Sequence, residues 1–256
     1  MTGAMTGTGV APVVQAGAPP KWLVQLTTYY SDVNNGFGVW QGQDFRVLYA
    51  GRRISPFLSV GTQARPGGNQ QVVSFGSYIP INRWLFAVVG LGHAPDRGTV
   101  LFPKLRADVS AVVTVPGVPG LLFSTGLTDV RYTDPRTGGL IGTLAPTLYK
   151  GKGIYSASVF LNRDRASGVG SGAWQVNAQW GQQGRYWVGG GLGSGTEAYR
   201  LLLATPFDAR FSSQSANVFV TKWLTQRSGA TVRLDLEQKT EVYLRKALTL
   251  TLFSEF

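Results

Sequence analysis

At 256 residues the chain could hold one or two ordinary domains, but only 14% of it is charged while 43% is hydrophobic and 34 residues are glycine, a charge content too thin for a routine soluble enzyme. A mean hydropathy of +0.02 excludes a bundle of long apolar helices, and 7 Trp, 10 Tyr and 13 Phe exclude a disordered chain. With no cysteine and a single histidine, His93, disulfide frameworks, thiol nucleophiles and multi-histidine metal sites fall away together, and no cofactor is expected.

The net charge of +11 suggests attraction to phosphate or other polyanions. The basic residues are scattered, with no run longer than Arg52-Arg53 and no helix-turn-helix or zinc-finger pattern, so nucleic acid is not the expected partner.

In chain order, residues 1–20 are rich in Gly, Ala, Thr and Pro without the basic start and apolar run of a signal peptide, and read as a flexible leader. Residues 21–256 then read as one β domain. Extended segments of about ten residues alternate with Gly, Pro, Asn or Ser punctuation. They are Lys21–Ser31, Gln43–Arg52, Pro56–Gln63, Gln71–Ile81, Trp84–Gly92, Pro103–Val115 and Leu121–Thr133, then Leu140–Tyr149, Gly153–Asn162, Ala173–Gly181, Tyr186–Leu192, Ser215–Leu224, Thr231–Lys239 and Leu244–Phe256. The most apolar charge-free stretch, Val109 to Thr128, is interrupted by Pro116-Gly117-Val118-Pro119-Gly120, which makes it a hairpin rather than a spanning helix.

Period-two alternation assigns two faces to each segment. Leu105, Ala107, Val109, Ala111 and Val113 oppose Arg106, Asp108, Ser110 and Thr114; Trp174, Val176, Ala178 and Trp180 oppose Gln175, Asn177 and Gln179; Val232, Leu234 and Leu236 oppose Arg233, Asp235, Glu237 and Lys239. A sandwich has the same period with its apolar face inward. Three features favour an antiparallel transmembrane β-barrel of about 14 strands, with 12 or 16 as alternatives. Aromatic residues such as Trp22, Tyr30, Trp84, Tyr149, Tyr155, Trp174, Trp180 and Trp223 sit toward segment ends, as membrane-interface girdles do. Short turns (116–120, 151–153, 181–184) alternate with longer connections (93–102, 164–172, 193–214), as periplasmic turns and outer loops do. Finally, Leu248, Leu250, Leu252 and Phe256 share a face of the last segment, a pattern similar to the assembly signal of bacterial outer-membrane barrels, so the barrel-assembly machinery is an expected partner.

The passages RWLFAVVGLGHAPDRGTVLFPKLRADV (83–109), LYKGKGIYSASVFLNRD (148–164), GLGSGTE (191–197) and YLRKALTLTLFSEF (243–256) resemble the YaiO-type outer-membrane β-barrel family, over roughly residues 21 to 256. The resemblance implies a monomeric barrel in the outer membrane of a Gram-negative bacterium, in a setting of exopolysaccharide production or export. It carries no catalytic residues with it.

Parity places Asp44, Arg46, Arg52, Arg106, Asp108, Arg233, Asp235, Glu237 and Lys239 in the lumen. These residues read either as an ion-pair network that stiffens a narrow interior or as a polar path whose Arg excess favours anionic solute or glycan. Phe86, Phe160 and Trp187 are candidate inward platforms for sugar. The leading functional expectation is a non-enzymatic barrel assisting secretion or passage of envelope glycan, with polysaccharide or a periplasmic export partner in contact. The second is a barrel enzyme acting on lipid or glycan with His93, beside Asp96, as general base; the third is a structural or adhesive barrel. Arg97, Arg136, Arg163, Arg165 and Arg200 are placed to pair with lipopolysaccharide phosphates at the outer rim. Gly189 to Gly195 lacks the Lys-Ser/Thr of a phosphate loop, and Glu197 with Asp208 reads as solvated loop rather than a cation site.

Overall fold

The computed structural model describes residues 21–95, 102–134, 137–166, 168–197, 211–240 and 242–256. Fourteen strands account for most of them: β1 (Lys21–Val33), β2 (Gly38–Ala50), β3 (Ser55–Arg65), β4 (Gly68–Pro80), β5 (Leu85–His93), β6 (Leu105–Thr114), β7 (Leu121–Arg131), β8 (Gly138–Lys150), β9 (Gly153–Asp164), β10 (Gly170–Gln182), β11 (Tyr186–Glu197), β12 (Phe211–Trp223), β13 (Ser228–Lys239) and β14 (Tyr243–Glu255). Each pairs antiparallel with its sequence neighbours, and β14 pairs with β1 to close the ring. The leader lies outside the described residues.

Local chemistry sets up each hairpin. Between β1 and β2, Asn35 (φ 56°) and Gly36 (φ 80°) both adopt left-handed backbone, the geometry that lets a two-residue turn match the twist of its strands. Closure is completed by two backbone hydrogen bonds, Phe256 N–H to Trp22 O at 2.9 Å and Trp22 N–H to Phe256 O at 3.2 Å. No strand edge is left unpaired, the condition for a sheet to sit in hydrocarbon. Carried once around the ring, the register shifts by roughly 14 residues, which for fourteen strands means a tilt of about 36° and a backbone ring about 25 Å across.

The choice between sandwich and barrel is decided by exposure. Leu192, Val218, Leu234 and Leu248 are 48–59% exposed, and they belong to the apolar face of their strands. That face points outward all round the ring, while the polar face points in. Aromatic rings on the inner face lie over glycines of neighbouring strands: Tyr29 over Gly42, Phe57 over Gly76, Phe253 over Gly229. A Cβ at any of these glycines would collide with the ring, which is why glycine interrupts otherwise regular strands.

Several sequence-based boundaries move. β2 begins at Gly38 and stops at Ala50, because Gly51 N–H turns back to Tyr49 O at 3.2 Å and Ser55 Oγ donates to Gly51 O at 3.3 Å. Arg52 therefore sits exposed in the turn 51–54 rather than in the lumen. β9 and β10 run on to Asp164 and from Gly170, so their expected long loop shortens to 165–169, and β11 continues through the glycines to Glu197. These glycines pair normally because Asn177, Gln179, Ser215 and Phe219 of the flanking strands cover them.

Three small apolar clusters lie inside the ring at the end opposite the chain termini. They are Val33, Trp40 and Tyr243 with Phe37; Val72, Ala94 and Phe102; and Val130, Tyr132 and Ile141 with Phe160. They narrow that mouth.

Candidate functional site

The candidate site is the lumen, and the strands supply it in two tiers. In the middle tier, β6 and β13 each carry the same local unit, Arg-x-Asp, with both side chains on the inner face. Arg106 Nε donates to Asp108 Oδ2 at 2.8 Å and its Nη2 to Oδ1 at 2.8 Å, and Thr128 Oγ1 donates to Oδ1 at 2.6 Å. Arg233 Nε donates to Asp235 Oδ1 at 2.7 Å. Two residues of extended chain separate side chains on one face by about 7 Å of backbone, a span that the long Arg side chain folds back across. β6 and β13 stand seven places apart either way round the ring, so the two units occupy opposite walls.

On β2, Arg46 lies 4.6 Å over the Phe57 ring and its Nη2 donates to Tyr78 Oη at 3.2 Å. Asp44, on the same face, extends over Gly61, whose missing side chain leaves it room.

The second tier lines the narrowed mouth. Glu237, 2% exposed, accepts from Tyr243 Oη at 2.7 Å and pairs with Arg245 at 2.9 Å. Lys239 is buried beside them. Tyr243 meets Trp40 edge to face at 5.6 Å, and the Arg65 guanidinium stacks 4.1 Å above the Trp40 ring. Among the described residues, Nε and Nη2 of Arg65 and Nε of Arg245 have no hydrogen-bond partner, and the same holds for Ser31 Oγ and Gln63 Oε1 nearby on β1 and β3. The described ends of the connection after β5, Pro95 and Phe102, are tied down at this opening. Gln70 Nε2 donates to Pro95 O at 3.3 Å while its Oε1 accepts from Phe102 N–H at 2.6 Å, so one inner-face amide holds both ends of the loop.

Of the nine residues expected in the lumen, Asp44, Arg46, Arg106, Asp108, Arg233, Asp235, Glu237 and Lys239 lie on inner strand faces, and Arg52 does not. Phe86, Phe160 and Trp187 are also on inner faces, Phe160 packed into the mouth cluster with Tyr132. Leu248, Leu250, Leu252 and Phe256 lie on the outer face of the last strand. Arg65 and Arg245 lie outside the expected set. The sequence pattern ends β3 at Gln63, which cuts Arg65 from its face, whereas the odd positions of β14 place Arg245 opposite the leucines. Gln70 had no local signal at all.

His93 does not enter the lumen. It lies on the outer face of β5, in register with Val73 and Leu105, and its Nδ1 is engaged with Lys104 O at 2.8 Å. Asp96 lies outside the described residues. A general base facing lipid with one ring nitrogen committed to a carbonyl is poorly placed for hydrolysis. Among the described residues no His, Cys, Asp and Glu group has metal-site geometry. At the outer rim, Asp129 pairs with Arg131 at 2.8 Å and also with Arg165, so the two arginines there are partly satisfied within the protein; Arg97, Arg136 and Arg200, with Asp208, lie outside the described residues.

The fold is shared with outer-membrane porins. It is similar to OprD of Pseudomonas aeruginosa (TM-score 0.54, 8% identity, 93% of each chain covered). OpdQ (0.52, 8%, 93% of this chain and 98% of that one) and OccK3 (0.51, 9%, 93% and 95%) of the same organism are comparably similar. A search of curated proteins finds no sequence match. The model of the YaiO membrane β-barrel domain matches residues 21–200. With a closed fourteen-strand ring, an apolar exterior and a charged interior, the chain belongs to the YaiO family of outer-membrane β-barrels.

Proposed function

We propose that this barrel is a passage for envelope glycan across the outer membrane. The observation that carries the reading is an inner wall rich in hydrogen-bonding groups whose principal charges are already paired. Arg106 with Asp108, Arg233 with Asp235 and Arg245 with Glu237 neutralise one another. Ser156, Ser158, Gln175, Asn177, Ser215 and Asn217 line β9 to β12 with small neutral donors and acceptors. Such a wall offers a hydroxyl-rich chain many hydrogen bonds in exchange for those it gives up to water. Phe86, Phe160 and Trp187 add apolar faces on which sugar rings can stack. A ring of fourteen strands is wider than the side-chain-filled eight-strand barrels.

The test is conductance in planar bilayers with and without maltohexaose. The expected result is a small conductance that the oligosaccharide occludes in a concentration-dependent way. A protein that neither conducts nor responds to the sugar overturns the reading.

A further inference from the structure

The ring sorts the charge of the chain by height. Six turns close the hairpins at the end where β1 begins and β14 finishes: 51–54, 81–84, 115–120, 151–152, 183–185 and 224–227. They hold six cations, Arg52, Arg53, Arg83, Lys152, Arg185 and Arg227, and no carboxylate. All six are exposed, and none is ion-paired to a described carboxylate. The connections at the opposite end mix six cations with four carboxylates, and the middle of the lumen holds the Arg-Asp units described above. The unbalanced charge of this protein is therefore concentrated at the short-turn end, which faces the periplasm.

Adjacent hairpin turns are about 10 Å apart, two strand spacings, close to the ~8 Å screening length of physiological salt. Charges at that spacing repel their neighbours and together project a positive potential over an opening about 25 Å wide. The six sit in turns beyond the strand ends, toward the aqueous phase. Lys150, the last residue of β8, and Lys222, the penultimate residue of β12, differ in lying on the lipid-facing side, level with the exposed Trp180 and Trp22, at the height of lipid headgroups. Of the turn cations, Lys152 lies 5.7 Å from the Trp180 ring and Arg83 directly precedes the exposed Trp84.

We propose that this turn rim captures an acidic polysaccharide, a chain of carboxylate-bearing sugars, on the periplasmic side and delivers it to the lumen. The proposal deepens the passage reading and rests on it for the delivery step; the capture step stands on the rim alone. A polyanion satisfies many turn cations at once. A neutral glycan gains nothing from them.

The test is binding of a fluorescent oligogalacturonate, with maltohexaose as the neutral counterpart, to the full chain in nanodiscs of zwitterionic lipid. The acidic oligomer should bind and the neutral one should not, and binding should weaken as salt rises from about 50 to about 500 mM. Replacing the six turn cations with Gln should weaken binding about tenfold or more, while Arg→Lys at the five arginines should retain it, which separates charge from misfolding. Lys150→Gln with Lys222→Gln should leave it unchanged. Equal binding by the wild type and the six-Gln variant overturns the proposal, as does a loss that follows Lys150 and Lys222 instead, which would assign the charge to lipid headgroups. Retained rim binding without sugar-sensitive conductance defeats only the passage reading; conductance occluded by maltohexaose with rim-independent binding defeats only this one.

Discussion

At the residue scale, the buried triad of Glu237, Tyr243 and Arg245 is where a single change does most damage. Glu237 is fully enclosed and accepts from both partners. Glu237→Ala leaves a buried guanidinium without its counter-charge, a loss of about 3–5 kcal/mol, whereas Glu237→Gln keeps the Tyr243 hydrogen bond and should cost less. Urea unfolding of the protein in lipid vesicles measures both; equal stabilities would contradict the packing described for the mouth. The Arg-Asp units make a different kind of prediction, because their removal changes charge rather than packing. Asp108→Asn combined with Asp235→Asn frees Arg106 and Arg233 on opposite walls. The zero-current potential in a salt gradient should shift toward anion preference, and no shift would mean that ions do not pass those walls.

At the element scale, β14 shows how one strand serves two solvents. Its even positions meet lipid and its odd positions meet the lumen, and it closes the ring through β1. Leu250 lies near the middle of the strand on the outer face. Leu250→Arg should destabilise the barrel by about 2–4 kcal/mol, the cost of a cation at the bilayer midplane. Thr249→Arg, one residue away but on the inner face, should cost much less. The same unfolding measurement distinguishes them, and equal costs would mean that the faces are reversed. Strand existence was legible in all fourteen cases because period-two alternation is a local property. Strand ends were not, because the β2 stop at Ala50 depends on the Tyr49–Gly51 backbone contact, and the extension of β11 depends on cover from β10 and β12.

At the scale of the whole molecule, lipid solvates the apolar half and water the polar half. The chain has no cysteine, so a single introduced thiol gives an unambiguous label. Fluorophores at Val113→Cys and Leu250→Cys should be quenched by brominated lipid, and one at Thr251→Cys should not. Quenching at all three positions, or at none, would contradict the closed ring. The charges are distributed by height: Arg106, Arg233 and Arg245 meet carboxylates in the lumen, Arg46 and Arg65 lie over aromatic rings, and none of the six turn cations is paired with a described carboxylate. Composition reported the sum of those charges and had no means of assigning their height.

Alternation, turn chemistry and the apolar last strand are properties of neighbouring residues, and they determined the barrel class and the two faces of its strands from sequence alone. Everything that joins residues distant in the chain waited for the tertiary structure. The opposition of β6 to β13, the stacking of Arg65 on Trp40, the outward turn of His93 and the gathering of six turn cations at one rim all depend on how fourteen strands register around a closed ring, and that register is set by pairing across the sheet rather than by any stretch of sequence.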